Sequence, residues 1–181
     1  MTMIAAILVG GKSQRMGRSK ALLPIDGGYL VDRIEKKLQE LVPAISKVIL
    51  SGKITERETV PDEEPLRGPV GAIHTLAKRY LTKAQSLLVV PVDLPLLESH
   101  VLSPLITHFL ANQSSAVTFC SHPLPAIFRI NKNLIKKTHE ADSVRELLLA
   151  LRADEISLDE AKYLTNTNTP EEWAKATGEK L

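Results

Sequence analysis

A glycine-rich loop with four cations follows the first apolar segment of the chain. Residues 10–20 read GGKSQRMGRSK and contain no acidic residue. Its glycines permit positive φ and close approach of the backbone, so main-chain N–H groups can converge on phosphate oxygens. Arg15 and Lys20 can neutralise those oxygens. The loop indicates a phosphate-binding site, and an exposed Gly-rich turn with surface cations is the alternative.

This loop departs from two common nucleotide-binding motifs. Five residues separate Gly11 from Gly17, and Arg18 stands where the Walker motif requires lysine. The spacing also differs from G-x-G-x-x-G. A phosphate cradle here must therefore be of another type.

A lone carboxylate follows a second apolar run. Residues 90–95 read VPVDLP, which places Asp93 between two prolines that stiffen its backbone. Mg²⁺ prefers one or two carboxylates together with water and phosphate oxygens. Asp93 is therefore a candidate magnesium ligand, and an aspartate that only caps a turn is the alternative.

Two weaker candidates lie between these segments. Asp62 precedes Gly68, which begins a Gly-Pro-Val-Gly sequence. A carboxylate can accept hydrogen bonds from guanine N1–H and the exocyclic amine, and a glycine at a helix start lets the backbone approach a ligand. Glu63 and Glu64 beside Asp62 equally suggest an exposed acidic run.

Two asparagines precede the last predicted helix. Thr169 as N-cap, Pro170 at the first helical position and Glu172 two residues later form a capping box. That leaves Asn166 and Asn168 without a structural role, and each can both donate to and accept from a heterocycle or a phosphate. Turn formation is the alternative.

The remaining reactive side chains carry little signal. The five histidines lack the paired spacing of a metal site. Cys120 falls in a predicted strand, so we interpret it as a core residue rather than a nucleophile. As the single cysteine it cannot pair within the chain, which fits a reducing compartment and predicts a cytoplasmic protein.

Short apolar runs alternate with amphipathic segments along the first half of the chain. Apolar runs of this length are typical of parallel strands that are buried on both faces. The predicted strands are residues 3–9, 45–50 and 87–90, and the predicted helices are residues 30–41 and 68–80.

Further along, the alternation is less regular. Residues 116–120 and 125–130 read as strands around a His122–Pro123 turn, and helices are predicted over residues 134–140 and 144–151. This pattern predicts an α/β fold with a mainly parallel mixed sheet and helices on both faces. We expect one domain over residues 1–181, with ligands at the carboxyl ends of the strands.

Composition excludes several classes of protein. The 181 residues are 44% hydrophobic and 24% charged, as in ordinary globular proteins. A net charge of +2 and an aromatic content of 4% give neither the field nor the stacking surface that a nucleic acid polymer needs. No apolar run approaches the roughly 20 residues of a membrane span, so no membrane association is expected.

Taken in order, these segments resemble the MobA-type molybdenum cofactor guanylyltransferases of the Rossmann-like nucleotidyltransferase superfamily. The resemblance covers residues 4–173. It rests on Leu8-x-Gly10-Gly11-x-Ser13-x-Arg15-Met16-Gly17-x-x-Lys20, Asp62, Gly68-Pro69, Pro91-x-Asp93-x-Pro95, Leu124-Pro125-Ala126-Ile127-Phe128 and Asn166-x-Asn168-Thr169-Pro170-Glu171.

The resemblance implies a three-layer Rossmann-like fold that joins GTP to molybdopterin and releases pyrophosphate. The implied nucleotide contacts are Leu8, Val9, Gly10, Gly11, Lys20, Ser51, Asp62, Gly68 and Asp93, with Mg²⁺ on Asp93 and with Asn166 and Asn168 toward the pterin. Two residues depart from the family pattern. Val9 replaces the usual alanine, and Ser51 stands where an asparagine often contacts the nucleotide.

The implied chemistry needs no general base, because the molybdopterin phosphate is already ionised at neutral pH. Catalysis then reduces to positioning and charge neutralisation by Lys20, Arg15 and Asp93. We expect Lys20 and Asp93 to face each other across a gap that fits a triphosphate and its metal ion.

Three alternatives remain at this point. The first two are a cytidylyltransferase for the same pterin and a sugar-1-phosphate nucleotidyltransferase, and both keep the reaction type. The third is a non-catalytic nucleotide-binding module, which the serine at position 51 leaves open. Transient contact with other molybdenum cofactor proteins is also expected.

Overall fold

A computed structural model of the protein describes residues 2–10, 19–54, 57–63 and 67–179. Strands and helices alternate along this part of the chain. The strands are β1 (Met3–Leu8), β2 (Pro24–Ile25), β3 (Gly28–Tyr29), β4 (Ile45–Ser51), β5 (Ser86–Pro91), β6 (Ala116–Phe119), β7 (His122–Arg129) and β8 (Asp154–Ile156). The α-helices are α1 (Leu30–Gln39), α2 (Gly68–Tyr80), α3 (Ser99–Asn112), α4 (Lys132–Glu140), α5 (Val144–Ala150) and α6 (Pro170–Thr177).

The main sheet has the strand order β4-β1-β5-β7-β6-β8. Strands β4, β1 and β5 are mutually parallel, and β6 and β8 are parallel to each other. Strand β7 is antiparallel to both of its neighbours. The predicted α/β fold with a mainly parallel mixed sheet is therefore confirmed.

Apolar side chains of the central strands divide between two faces of the sheet. Along β1, Ala5 and Ile7 pack with α1, α3 and α6, whereas Ile4 and Ala6 pack with α2, α4 and α5. This alternation with period two is what a strand buried on both faces requires. The result is the predicted three-layer arrangement, with a helical layer on each side of the sheet.

Two predictions near β6 and β7 are wrong in detail. The turn between these strands is formed by residues 120–121, and β7 already begins at His122. Because β6 ends at Phe119, Cys120 lies in the turn and is exposed rather than part of the core. The thiol therefore contacts solvent.

Helix α3 and strand β8 were absent from the sequence-based expectation, as were the two-residue strands β2 and β3. Helix α3 contains Pro104, which removes one backbone donor from the helix. Burial of Val101, Leu102, Leu105 and Phe109 stabilises this helix against the sheet. Strand β8 spans three residues and forms by pairing with β6 at the sheet edge.

The described helices are all confined to the two layers around the sheet. Within the described ranges, none combines the length and the hydropathy that a bilayer crossing needs.

Candidate active site

The carboxyl ends of β4, β1 and β5 meet at one edge of the sheet. The register pairs Leu8 with Ser51 on one side and with Pro91 on the other. Ser51 ends β4, and the loops after β1 and β5 carry Gly10 and Asp93, so three predicted site residues lie at the ends of neighbouring strands. This edge is where ligands of open α/β sheets bind.

The loop that carries Asp93 is anchored to the core by buried apolar residues. Leu94 and Leu97 are 1% exposed, and the Val92 N–H donates to the carbonyl of Leu8 over 3.2 Å. Asp93 Oδ1 is buried and has no hydrogen-bond partner among the described residues. A buried carboxylate oxygen without a donor is an unfavourable arrangement that a cation would relieve.

Lys20 begins a short 3-10 helix, Lys20–Leu22, and reaches the same loop. Its Nζ lies 3.2 Å from Asp93 Oδ2 and donates to Asn168 Oδ1 over 2.7 Å. The Lys20 and Asp93 side chains are 16% and 21% exposed. Lys20 and Asp93 therefore share one edge, but they form a direct ion pair instead of facing each other across the expected gap.

The segment before α6 completes this cluster. The Thr167 N–H donates to the Asp93 carbonyl over 3.2 Å, and the Thr167 side chain is buried. The predicted capping box is present, because Thr169 Oγ1 accepts from the Glu172 N–H and Glu172 accepts from the Thr169 N–H. Trp173 is fully buried and fixes the helix. Asn166 and Asn168 are both exposed, and Asn168 contacts the Lys20 ammonium.

Gly10 and Gly52 approach each other where β1 and β4 end. The Val9 N–H donates to the Ser51 carbonyl over 2.9 Å. A Cβ on Gly52 would lie 2.5 Å from the Gly10 nitrogen, and Gly52 has φ +120°. Both facts require glycine at position 52. The Gly10 backbone itself is exposed at this edge. The backbone there can approach a phosphate closely.

Ser51 and Asp62 form a second polar pair at this edge. Ser51 pairs with Val60, two residues before Asp62. Burial raises the pKa of the Asp62 carboxyl, and the nearby Ser51 hydroxyl lowers it by a smaller amount. Ser51 Oγ and Asp62 Oδ1 are both buried, and neither has a partner within hydrogen-bond geometry among the described residues. The pair is therefore suited to a ligand that supplies N–H donors.

Replacement of Asp62 by Asn is expected to stabilise the protein and weaken nucleotide binding. A pKa raised by folding means that the protonated carboxyl is favoured in the folded state. This contribution to stability is complete below the unfolded pKa and is lost as the pH rises through the folded pKa. Asp62→Asn should therefore melt at a higher temperature than the wild type at pH 7, with a smaller difference at pH 4.

The same variant should bind GTP, the nucleotide that the resemblance implies, about tenfold more weakly, because hydrogen bonds to a charged group are lost. Thermal unfolding between pH 4 and 7.5, with and without GTP, measures both effects. Glu63→Gln is the matched control, since Glu63 is an exposed carboxylate that pairs with Lys78. A lower melting temperature for Asp62→Asn at pH 7 would contradict the assignment of an unfavourably buried charge.

Gly68 begins α2 with φ +59° and precedes Pro69 in the first turn. Because α2 follows β4, its first turn lies at the same edge of the sheet as Ser51. The Arg67 guanidinium donates to the carbonyls of Thr138 and Ala141, which fixes the start of α2 against the end of α4. Two other predicted site residues, Gly11 and Arg15, lie outside the described residues.

The cluster offers oxygen ligands and one cation, and this chemistry suits a metal-bound polyphosphate. In the described part of the chain, no three His, Cys, Asp or Glu side chains come together. Mg²⁺ does not need such a set, since one or two carboxylates with phosphate oxygens suffice. Asp93, with its unpartnered carboxylate oxygen, fits that role.

Sequence reasoning did not identify two residues near the site. Thr167 was passed over between two asparagines, although its position inside that motif was a usable signal. Arg33 on α1 donates from Nε to the Pro95 carbonyl over 2.9 Å, two residues beyond Asp93. No local pattern marks Arg33, because its partners lie in two segments far from it in sequence, the β2–β3 turn and the loop between β5 and α3.

Comparison with known proteins connects this geometry to one family. The family model described as MobA-like NTP transferase domain matches residues 5–156. A molybdenum cofactor guanylyltransferase of Xanthomonas euvesicatoria is 30% identical, with 93% of this chain and 91% of that protein covered. A probable molybdenum cofactor guanylyltransferase of Flavobacterium johnsoniae is 28% identical, with 94% of each chain covered.

Solved structures show the same fold. Molybdopterin-guanine dinucleotide biosynthesis protein A from Archaeoglobus fulgidus superposes with a TM-score of 0.74 at 18% identity, covering 98% of this chain and 97% of that one. This likeness concerns the fold, while the family model and the relatives identify the class. The chain therefore belongs to the MobA-like NTP transferase family, and it is a nucleotidyltransferase.

Proposed function

We propose that the protein transfers GMP from GTP to molybdopterin, which yields the guanine dinucleotide form of the cofactor and pyrophosphate. The observation that carries the proposal is the contact of Lys20 with Asp93 and Asn168 at the edge where β1 and β5 end. Relatives named molybdenum cofactor guanylyltransferase supply the substrates of this proposal.

The nucleotide would lie over β4, β1 and β5. The Gly10 backbone would approach the phosphates, since it is exposed and carries no side chain. Ser51 and Asp62 offer acceptors on the same side, which suits the N1–H and exocyclic amine of guanine. Gly68 would contact the nucleotide from the first turn of α2, and Leu8 and Val9 from the end of β1. Gly11 and Arg15, by position in the loop, would add phosphate contacts.

Lys20 would neutralise charge on the reacting phosphates. In the ligand-free protein its Nζ is shared between a carboxylate and an amide oxygen. A triphosphate oxygen would replace these partners at the same place, because the Lys20 side chain is anchored by the buried Ala21 and Leu23. A preorganised cation of this kind lowers the barrier at the stage when charge builds up on the leaving group.

Asp93 would hold the divalent cation that nucleotidyltransferases generally use, here Mg²⁺. When bound, Mg²⁺ supplies positive charge beside the phosphates. The Thr167 N–H fixes the Asp93 carbonyl, so the backbone at Asp93 would stay in place when Lys20 exchanges the carboxylate for a phosphate oxygen.

The transfer reaction would need no general base from the protein. A molybdopterin phosphate oxygen forms a bond to the α-phosphorus of GTP, and the bond from that phosphorus to the bridging oxygen breaks. Pyrophosphate leaves with the electron pair. The acceptor phosphate is already ionised, so the residues of the chain need only bring the two groups in line. Asn166 and Asn168 would face the pterin, beside the phosphate that attacks.

The whole chain, residues 1–181, would act as one nucleotidyltransferase domain in the cytoplasm. Residues beyond the matched family region pack back on the site, since Thr167 binds the Asp93 carbonyl and Asn168 binds Lys20. A single cysteine suits a reducing compartment. Transient contact with other molybdenum cofactor proteins would deliver the acceptor and remove the product.

The protein incubated with GTP, Mg²⁺ and molybdopterin is expected to release pyrophosphate and form a dinucleotide of the corresponding mass. GTP with Mg²⁺ should raise the melting temperature, whereas CTP and UTP should have little effect. Transfer from CTP in place of GTP would instead identify a cytidylyltransferase. Nucleotide binding without pyrophosphate release would identify a non-catalytic module. Either result would overturn the proposal.

A further inference from the structure

The two halves of the Lys20–Asp93 cluster belong to separate parts of the chain. Lys20 starts the 3-10 helix that leads into the β2–β3 hairpin, and Asp26 lies in the turn of that hairpin. Asp93 starts the loop that leads to Glu98, the residue before α3. Beside their direct ion pair, the relative position of Lys20 and Asp93 therefore also depends on what joins the hairpin to the loop.

Arg33 joins them through a single guanidinium. Its Nη1 donates to Asp26 Oδ2 over 2.5 Å, and its Nη2 donates to Glu98 Oε1 over 2.7 Å. Its Nε donates to the Pro95 carbonyl over 2.9 Å. The Arg33 side chain is 23% exposed. Three donors of one rigid, planar group thus hold three acceptors on both sides of the cluster.

The segments on both sides of the Arg33 contact are held in place. The preceding stem is fixed by α1, whose neighbouring Ile34 is 1% exposed. The loop between Asp93 and Glu98 is short and closed by a hydrogen bond from the Leu97 N–H to the Leu94 carbonyl, 3.1 Å long. A shift at Pro95 is therefore transmitted to Asp93 rather than absorbed between them.

We infer that Arg33 is a positioning residue that sets the separation of Lys20 and Asp93, and through it the affinity for nucleotide and metal. The inference rests on the proposed function in taking MgGTP as the ligand. Arg33 touches neither Lys20 nor Asp93 in this arrangement; it acts through the Asp26 turn and the Pro95 carbonyl. Lysine cannot replace it, because an ammonium group cannot span the three acceptors.

The test variant is Arg33→Met, which keeps the aliphatic stem and removes the three donors. The matched control is Arg57→Met. Arg57 also forms ion pairs with α1, to Asp32 and Glu35, and its side chain is 27% exposed. Those two partners lie on α1 itself and on neither half of the cluster. Each variant is compared with its own ligand-free melting temperature, so that a general loss of stability cancels.

We expect the affinity for GTP with Mg²⁺, taken from the concentration dependence of the melting temperature, to fall about tenfold in Arg33→Met and less than twofold in Arg57→Met. The expected fall in kcat of Arg33→Met is at least as large, since small displacements of reacting groups have large effects on rate. Arg33→Lys should resemble Arg33→Met. Equal behaviour of Arg33→Met and Arg57→Met would overturn the inference.

Asp26→Asn provides an independent test that does not require Arg33→Met to fold. It breaks only the hairpin side of the bridge and should reproduce part of the loss of MgGTP affinity. Combined with Arg33→Met it should add nothing further, because both changes remove the same connection. If the losses of MgGTP affinity in the two variants were additive in the double variant, the inferred connection through Arg33 would be wrong.

The same measurements separate this inference from the proposed function. A wild-type protein that binds GTP with Mg²⁺ but makes no dinucleotide from molybdopterin overturns the proposed function alone, and the affinities of the variants still decide the role of Arg33. A wild-type protein that GTP and Mg²⁺ do not stabilise overturns both.

Discussion

Asp93→Asn is expected to lower kcat by about 10²- to 10³-fold, the loss typical of removing one preorganised charged group from a transition state. The amide keeps the size of the carboxylate but holds a divalent cation poorly. In the variant, the buried Oδ1 position of residue 93, which lacks a hydrogen-bond partner in the wild type, would no longer carry negative charge for the metal ion. This is the largest effect that we predict, because the described residues contain no group of three His, Cys, Asp or Glu side chains that could hold the ion without Asp93.

The fold of Asp93→Asn should remain intact. The loop keeps its backbone contacts, namely Val92 with Leu8 and Thr167 with the residue 93 carbonyl. Loss of the ion pair with Lys20, which is partly exposed, should change the free energy of unfolding by about 1 kcal/mol or less. Pyrophosphate release and chemical denaturation measure the two quantities.

Asp154→Asn is the control for Asp93→Asn. Asp154 also pairs with a basic side chain, His108, but it lies at the far edge of the sheet on β8. Its replacement should alter kcat less than twofold. If Asp93→Asn retained more than a tenth of the wild-type kcat, Asp93 would not be the metal ligand.

Lys20→Met should lower kcat/KM for GTP about 100-fold, since a cation near the reacting phosphates is lost. The ion pair adds an opposite expectation for the metal. In the ligand-free protein Lys20 Nζ occupies one oxygen of Asp93 and therefore competes with any cation there. Without nucleotide, Lys20→Met should bind Mn²⁺ about threefold more tightly than the wild type, which corresponds to the usual strength of a partly exposed ion pair.

The amount of free Mn²⁺, followed by electron paramagnetic resonance, measures this change. Lys78→Met is the control, because Lys78 pairs with the exposed Glu63 away from Asp93. Unchanged or weaker Mn²⁺ binding by Lys20→Met would show that Lys20 and the metal do not compete. Together the two results would mean that nucleotide binding itself frees Asp93, since phosphate draws Lys20 away from the carboxylate.

Many of the strands and helices that position the site were predictable because they are marked by local sequence patterns. Strands β1 and β5 are short apolar runs that only a doubly covered sheet can bury, and β4 has an apolar second half. The capping box before α6 follows from three residues. These elements place Gly10, Ser51 and Asp93 on one edge without any knowledge of tertiary contacts. Family resemblance then added the substrates, which no spacing can supply.

What was missed depends on contacts between distant segments. Helix α3 forms despite Pro104 because its apolar side chains find a sheet to pack on. Cys120 looked like a strand residue because the strand ends one residue earlier than its apolar run suggests. The ion pair of Lys20 with Asp93 joins residues 73 positions apart, and sequence spacing says nothing of that distance.

The segment with Thr167 and Asn168 also has a consequence for the order of synthesis. Lys20 and Asp93 leave the ribosome long before these two residues, which brace the Asp93 carbonyl and the Lys20 ammonium. A nascent chain that has completed β1 to β5 therefore has both charged groups without their brace. We therefore expect chains that end before residue 167 to hold GTP poorly.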